Sequence, residues 1–274
     1  MADGMPAPDQ ESFAAAIDTS VPQSPRVWNY WLGGKDNYEI DRVVGDEIRS
    51  ATPQIVELAR SSRAFLKRAV QHLAGPGGIR QFLDIGTGLP TAENTHEVAQ
   101  SVAPDARVVY VDNDPIVLAH ARALLLSSSA GATAYLDADL YDAENILRQA
   151  ADVLDFSQPI ALILLNILGH VPDWATAKSI SSNLVAALPS GSYLVASDAT
   201  NVIDGEALDA AARIWNENAN PKYHLRKPEQ IEELFAGLEL LEPGVVSCPL
   251  WRPPAAEVPR PVPVDQFGGV GRKP

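Results

Sequence analysis

The sequence predicts an α/β protein built around a doubly wound, mostly parallel sheet, and two observations predict it. Short apolar segments alternate with segments of helical periodicity from residue 81 to residue 197, which is the pattern of consecutive β–α units. The first predicted strand, residues 81–85, runs into a Gly86-Thr87-Gly88 turn, where bare backbone lets a ligand approach closely. With 274 residues, 46% of them hydrophobic, the chain suffices for one large domain and a small addition.

Two segments are expected before the sheet. Residues 1–22 are rich in Ala, Asp, Ser, Pro and Gln without a clear period, which predicts a mobile N-terminal arm. Between residues 23 and 78 the apolar positions recur at helical spacing, which predicts a helical cap. The cap ends at the breaker sequence Gly-Pro-Gly-Gly, and residues 79–274 are expected to form the sheet domain.

The elements of the sheet domain follow one another in a regular order. Strands are predicted near residues 81–85, 107–111, 133–137, 159–166 and 191–197. Helices are predicted near residues 91–101, 115–127, 142–151, 174–187, 204–217 and 228–236. Residues 240–250 are expected to form a sixth strand. The prolines of residues 253–263 exclude a central strand there, and residues 266–272 are expected to return as a last, antiparallel strand.

An acid at the end of the second strand indicates a nucleoside-type ligand. Asp112 follows an apolar strand and can accept hydrogen bonds from ribose hydroxyls. A nicotinamide dinucleotide requires a third small residue after the glycine turn, where this chain has Thr91. Asp84 would repel a pyrophosphate but attract the ammonium of a methionine moiety. The residues therefore favour S-adenosylmethionine, and a nicotinamide-dependent oxidoreductase is the weaker alternative.

Composition narrows the class of partner. The chain has 35 acidic and 21 basic residues and a net charge of −14, so its field opposes binding to nucleic acid and a small-molecule partner is expected. The longest apolar stretch, residues 159–168, is too short to cross a bilayer, so no membrane contact is expected. The single cysteine, Cys248, and a start without signal-peptide features predict a reducing cytoplasm. Without clustered Cys and His residues, no metal is predicted.

Several segments resemble one known family. They are residues 24–38 (SPRVWNYWLGGKDNY), 84–91 (DIGTGLPT), 94–100 (NTHEVAQ), 110–120 (YVDNDPIVLAH) and 268–274 (GGVGRKP). From about residue 22 to its end, the chain resembles the actinobacterial S-adenosylmethionine-dependent methyltransferases known as Methyltransf_19 or DUF574. The resemblance implies a class I methyltransferase, Rossmann-like fold and S-adenosylmethionine as cofactor, with S-adenosylhomocysteine as product. It does not fix the acceptor.

The predicted cofactor-binding residues fall into two groups. Those at the carboxyl ends of the strands are Asp84, Gly86, Thr87, Gly88, Asp112, Asn113, Asp139, Leu140 and Asn166. Class I methyltransferases place a carboxylate near the adenine amino group at the position of Asp139. Those on the cap are Arg26, Gly34, Lys35 and Tyr38.

The cap loop that contains residues 33–38 is expected to close over the cofactor. Lys35 could pair with the methionine carboxylate, Tyr38 could cover the sulfonium or the adenine, and Arg26 could brace the loop. The alternative is a glycine that ends a helix, followed by ordinary packing.

Methyl transfer needs alignment of donor and acceptor, and a base only if the acceptor loses a proton. His170, just past strand four, is the predicted base, and a histidine bound to a backbone carbonyl is the alternative. In strand four and after it, Asn166 and Gly169 depart from the family pattern. This departure indicates that the substrate-binding side of the site is particular to this member of the family. A protein that binds S-adenosylmethionine without turnover is the alternative function. The N-terminal helices could cap a monomer or form the seam of a homodimer.

Overall fold

A computed structural model describes residues 17–90, 93–124, 131–255 and 260–274, with side chains 121–124 excepted. Thr91, residues 125–127 of a predicted helix and residues 1–16 of the predicted arm lie outside the described residues. Within the described part, no helix is both long enough and apolar enough to cross a membrane.

Three helices precede the sheet: α1 (Ser24–Trp31), α2 (Glu39–Ala51) and α3 (Ile55–Ala74). Pro25 in the first turn of α1 fits a helix start, because its missing N–H would have no partner there. At the start of α2, Asp41 accepts a hydrogen bond from the backbone N–H of Tyr38 at 2.8 Å. Helix α3 buries a stripe that includes Phe65 and Ala69 in the core on one face of the sheet. The predicted helical cap is present in this form.

The sheet has the predicted doubly wound form. Its strands are β1 (Gln81–Ile85), β2 (Arg107–Asp112), β3 (Ala132–Asp137), β4 (Ala161–Leu165), β5 (Tyr193–Ala199), β6 (Glu239–Leu240), β7 (Val246–Ser247) and β8 (Gln266–Arg272). Their order is β3-β2-β1-β4-β5-β8-β6, and β7 also pairs with β8. Strands β1 to β5 are parallel, whereas β8 runs antiparallel to β5. The chain reverses its direction of winding between β1 and β4, which is where open α/β sheets bind ligands.

The helices between and after the strands lie close to their predicted positions. They are α4 (Thr95–Val102), α5 (Pro115–Leu124), α6 (Ala143–Ala150), α7 (Trp174–Ala187), α8 (Gly205–Asn218) and α9 (Pro228–Glu233). Asp142 and Asp173 accept hydrogen bonds from backbone N–H groups in the first turns of α6 and α7. A short 3₁₀ turn, Leu168–His170, follows β4 at the carboxyl edge.

The prediction of one strand over residues 240–250 is wrong. The segment forms the two short strands β6 and β7 and then a 3₁₀ turn, Cys248–Leu250. Pro243 has no N–H to donate to a ladder, and Gly244 adopts a left-handed φ of 90°. These two residues break the apolar run into a turn, and its apolar side chains still pack against the sheet.

Helix α8 joins the N-terminal helices in one apolar cluster over the carboxyl edge. Leu208 and Trp215 of α8 pack with Val27, Trp31 and other buried residues of α1 to α3. The last residues of the predicted arm contact these helices, because the main-chain carbonyls of Asp18 and Val21 accept hydrogen bonds from Arg26 of α1. Helices from both halves of the sequence therefore roof the place where the first four strands end.

Candidate cofactor and acceptor site

A cavity of about 530 Å³ lies between the carboxyl ends of the strands and the helical roof. Ten of the predicted site residues line it: Asp84, Gly86, Thr87, Gly88, Asp112, Asn113, Asp139, Leu140, Asn166 and His170. The topology brings them together, because β1, β2 and β4 are neighbouring parallel strands and end at the same edge.

The glycine turn after β1 forms the floor of this cavity. Gly86 and Gly88 adopt left-handed φ angles of 74° and 65°, which side chains other than glycine rarely tolerate. A Cβ on Gly86 would also lie 2.6 Å from the side chain of Ile167. The backbone N–H of Gly86 is used in a 2.8 Å hydrogen bond to the carbonyl of Val111, which fixes the turn beside β2. The floor is thus bare, rigid backbone.

Asp112 is held by the backbone on both sides. Its Oδ2 accepts a hydrogen bond from the N–H of Gly88 at 2.9 Å, and its Oδ1 accepts one from the N–H of Asp114 at 3.0 Å. Removal of water raises the pKa of Asp112 to about 6, and these hydrogen bonds limit the rise. A carboxylate has about four lone-pair positions, so this group can still accept hydrogen bonds from ribose hydroxyls.

Asp84 lies within the electrostatic influence of a cation that the sequence does not predict for this site, Arg63. Its Oδ2 accepts a hydrogen bond from the hydroxyl of Thr95 at 2.6 Å. Burial raises the pKa of Asp84 to about 6, and the nearby positive charge of Arg63 opposes that rise. Arg63 comes from α3 and lines the same cavity. Arg63 is one of three arginines in this 20-residue amphipathic helix and gave no signal, because only the fold shows which side of α3 meets the strand ends.

Asn166 occupies a strained position directly after β4. Its φ of 58° is left-handed, a conformation that asparagine adopts more readily than most residues. Its side-chain nitrogen donates a 2.9 Å hydrogen bond to the hydroxyl of Ser62 on α3. Its Oδ1 is buried and has no hydrogen-bond partner among the described residues. The oxygen is therefore an acceptor available to a ligand donor.

His170 lies where the cavity meets the roof. Its Nδ1 lies 3.2 Å from the carbonyl oxygen of Lys222, and in the tautomer that donates to this carbonyl Nε2 is the basic nitrogen. Loss of water around the ring lowers the pKa of His170 to about 4, so the imidazole is neutral at pH 7. The rings of Tyr223 and Trp215 contact it edge-on, with centroids 5.0 and 6.4 Å away. His170 thus lines the cavity and contacts a backbone carbonyl, and its role as a base stays a prediction.

A second, smaller cavity adjoins the first behind His170. We call this cavity of about 70 Å³ the apolar chamber; its walls include Val27, Trp31, Ile48, Leu208, Ala211 and Trp215. Ser24, Trp28 and His170 line both cavities. The roof helices thus border an apolar space next to the predicted cofactor cavity.

The cap loop has a different arrangement from the one the sequence predicts, because Gly34, Lys35 and Tyr38 do not line either cavity. Asn29 organises the loop: its carbonyl accepts from the N–H of Gly34, and its Oδ1 accepts from the N–H of Asp36. A Cβ on Gly34 would overlap the Asn29 side chain, which explains this glycine. The geometry matches the alternative of a helix-ending glycine with ordinary packing.

Arg26 braces the roof away from the cavities. Its Nε lies 3.0 Å from Oδ2 of Asp41, and both side chains are almost fully buried. Its Nη1 donates to the carbonyl of Asp18 at 2.8 Å, and the guanidinium lies over the ring of Tyr38. The side chain therefore joins α1, α2 and the segment before them.

The fold and the cavity define a class I methyltransferase, with acids at three strand ends around a bare glycine turn. The chain belongs to the S-adenosyl methyltransferase family Methyltransf_19, whose model matches residues 10–274. The cofactor of this family is S-adenosylmethionine. Among the described residues, no group of three or more His, Cys, Asp or Glu could hold a metal ion.

Solved structures agree with this membership. A DUF574 family protein from Streptomyces avermitilis is 44% identical with a TM-score of 0.89, and the match covers 94% of this chain and 99% of that one. A proposed methyltransferase from Thermobifida fusca is 42% identical with a TM-score of 0.87, covering 94% and 97%. Both neighbours come from organisms that fit the predicted actinobacterial family.

More distant matches show a similarity of fold and nothing further. The magnesium protoporphyrin IX methyltransferase of Synechocystis, crystallised with S-adenosylhomocysteine, is 14% identical with a TM-score of 0.52, covering 90% and 93% of the two chains. A comparison with curated proteins found no match.

Proposed function

We propose that this protein is an active methyltransferase of class EC 2.1.1 that methylates a small-molecule acceptor. The observation that carries the proposal is the pairing of two carboxylates, Asp84 and Asp112, on either side of the Gly86–Gly88 floor in one cavity. Bound S-adenosylmethionine would supply the methyl group and leave as S-adenosylhomocysteine.

The charges of the cavity match the ends of the proposed ligand. Asp84 would bind the ammonium of the methionine moiety, and Arg63 in the same cavity would bind its carboxylate. Arg63 takes the role that the sequence analysis gave to Lys35, which does not line the cavity. The free Oδ1 of Asn166 would accept a hydrogen bond from the same end of the ligand.

The other end of the cavity suits a nucleoside. Asp112 and Asn113 would bind the ribose, because Asp112 is already oriented by two backbone N–H groups. Asp139 would face the adenine amino group, and Leu140, which is almost fully buried, would pack against the ring. Thr87 and the two glycines would contact the ligand through backbone atoms.

His170 is the proposed general base. Its neutral imidazole can accept a proton at Nε2 while Nδ1 is held by the carbonyl of Lys222. The apolar chamber beside it supplies the acceptor space that a protein binding the cofactor without turnover would not need. This space supports a methyltransferase over a protein that only binds S-adenosylmethionine. A homodimer, a cytoplasmic location and the absence of nucleic-acid and membrane partners stay predictions from the sequence.

Calorimetric titration tests the cofactor site. We expect micromolar binding of S-adenosylmethionine and S-adenosylhomocysteine, at least tenfold weaker binding by Asp112→Ala, and no binding of NAD. Asp137→Ala is the matched control, because this exposed acid ends the neighbouring strand β3 and lines neither cavity. Binding of NAD in place of the adenosyl ligands would instead support the oxidoreductase alternative, and equal losses in the two variants would remove Asp112 from the site.

A further inference from the structure

The apolar chamber indicates which kind of acceptor the enzyme uses. We propose that the chamber binds a short uncharged apolar group of the acceptor and that the acceptor presents a hydroxyl to His170. This inference rests on the proposed function and adds the acceptor class to it.

The chamber excludes charge. No Lys, Arg, Asp or Glu is among the described side chains that line it, and Val27 and Ile48 in its wall are almost fully buried. A carboxylate or phosphate on the acceptor would lose its hydration there without gaining a partner. The occupant is therefore neutral and apolar.

The size of the chamber limits the occupant. An apolar cavity of about 150 Å³ holds a benzene molecule and stays free of water. The chamber has about half that volume, 70 Å³, and His170 is among the residues that line it. It fits a short alkyl group or one edge of a ring, and the rest of the acceptor would extend into the larger cavity.

The position of His170 favours a hydroxyl as the methylated group. His170, Ser24 and Trp28 line both cavities, so a molecule anchored in the chamber places its near end beside the imidazole. An alkyl amine would arrive as a cation at neutral pH, beside Ser24, Trp28 and His170, none of which carries a negative charge to pair with it. A hydroxyl arrives neutral.

The proposed step is balanced in atoms and charge. The acceptor oxygen forms its bond to the methyl carbon as the carbon–sulfur bond breaks, and that electron pair stays on sulfur. The acceptor proton passes to Nε2 of His170. The products are a methyl ether, a neutral thioether and an imidazolium, which returns its proton to water.

Binding of size-matched probes tests this assignment on the full chain saturated with S-adenosylhomocysteine. The probes are para-ethylphenol, which is neutral, and para-hydroxybenzoate, which carries a charge in place of the ethyl group. Ala212→Leu fills the chamber, because Ala212 lines it. Ala210→Leu is the control: it makes the same change two residues earlier on α8, and Ala210 lines neither cavity. Titration with S-adenosylhomocysteine shows whether each variant is folded.

We expect para-ethylphenol to bind at least about tenfold more tightly than para-hydroxybenzoate. Ala212→Leu should weaken binding of the neutral probe by about tenfold, as pocket overfilling by a few methylenes does, and Ala210→Leu should not. If the cofactor product binds but the neutral probe does not, or binds equally to both variants, the acceptor assignment is overturned while the proposed function stands. Absence of S-adenosylhomocysteine binding would overturn both.

Discussion

The hydroxyl of Tyr223 donates a hydrogen bond to Oδ1 of Asp198 across a position that only glycine can occupy. A Cβ on Gly169 would lie 2.5 Å from Cζ of Tyr223 and 2.8 Å from that carboxylate oxygen. Asp198 is almost fully buried in β5, and its pKa is raised to about 6 by burial. The ring of Tyr223 in turn contacts His170 edge-on. Glycine at position 169 thus leaves room for this hydrogen-bonded pair, of which Tyr223 lines the apolar chamber beside the proposed base.

Tyr223→Phe should destabilise the fold. The substitution removes a hydrogen bond to a buried carboxylate, which costs about 1–3 kcal/mol in the free energy of unfolding. The loss should be larger at about pH 8 than at about pH 5, because protonated Asp198 needs the donor less. Urea denaturation at both pH values measures it. Tyr141→Phe, on an exposed side chain, is the control, and equal effects of the two variants would contradict the account.

Gly86→Ala should abolish cofactor binding, whereas Gly88→Ala should weaken it less. Both alanines would adopt a left-handed φ, which costs about 1–2 kcal/mol. Only the first also collides with Ile167, at 2.6 Å, while nothing lies within 4 Å of a Cβ on Gly88. Titration with S-adenosylhomocysteine ranks the two variants. A larger loss for Gly88→Ala would contradict the description of the floor.

Cofactor affinity should fall as the pH drops below about 6. The pKa values of Asp84 and Asp112 are raised to about 6 by burial, and both groups must be ionised to bind the ammonium and the ribose. Between about pH 7.5 and about pH 5 we expect a loss on the order of tenfold per carboxyl, measured by calorimetry. Asp112→Ala should flatten this dependence.

The same carboxyls act in the opposite direction on the stability of the free protein. A folded pKa above the unfolded value of about 4 means that protonation favours the folded state. The contribution of Asp84, Asp112 and Asp198 to stability is therefore complete below about pH 4 and is lost as the pH rises through about 6. If the cofactor affinity and the contribution of these carboxyls to the free energy of unfolding both rose, or both fell, with pH, the raised pKa values would be contradicted.

Arg63→Gln should weaken S-adenosylmethionine binding by about ten- to a hundredfold, and Lys35→Gln should leave it unchanged. Arg63 lines the cavity beside Asp84, whereas Lys35 is exposed on the cap loop and lines neither cavity. A charged hydrogen bond to a carboxylate contributes about 1.5–3 kcal/mol, which gives the expected factor. Calorimetry on the two variants distinguishes the positions. The reverse order would restore the role that the sequence suggested for Lys35.

The strand ends and the helices of the cap could be predicted from the sequence, but which side chains of the cap face the cavity could not. Asp84, Asp112 and Asp139 follow apolar strands, and parallel topology alone brings such residues to one edge. Arg63 gave no local signal, because its place depends on how α3 packs over that edge. The contact of Lys35 with the cofactor stays a prediction, because its loop is organised around Asn29 and Lys35 does not line the cavity.

A crystal structure of the complex with S-adenosylhomocysteine tests the central claim most directly. The account predicts ribose hydroxyls within hydrogen-bonding distance of Asp112, the amino-acid end between Asp84 and Arg63, and the sulfur on the side of His170 and the apolar chamber. A ligand bound away from the Gly86–Gly88 turn, or one whose sulfur faces away from His170, would contradict it.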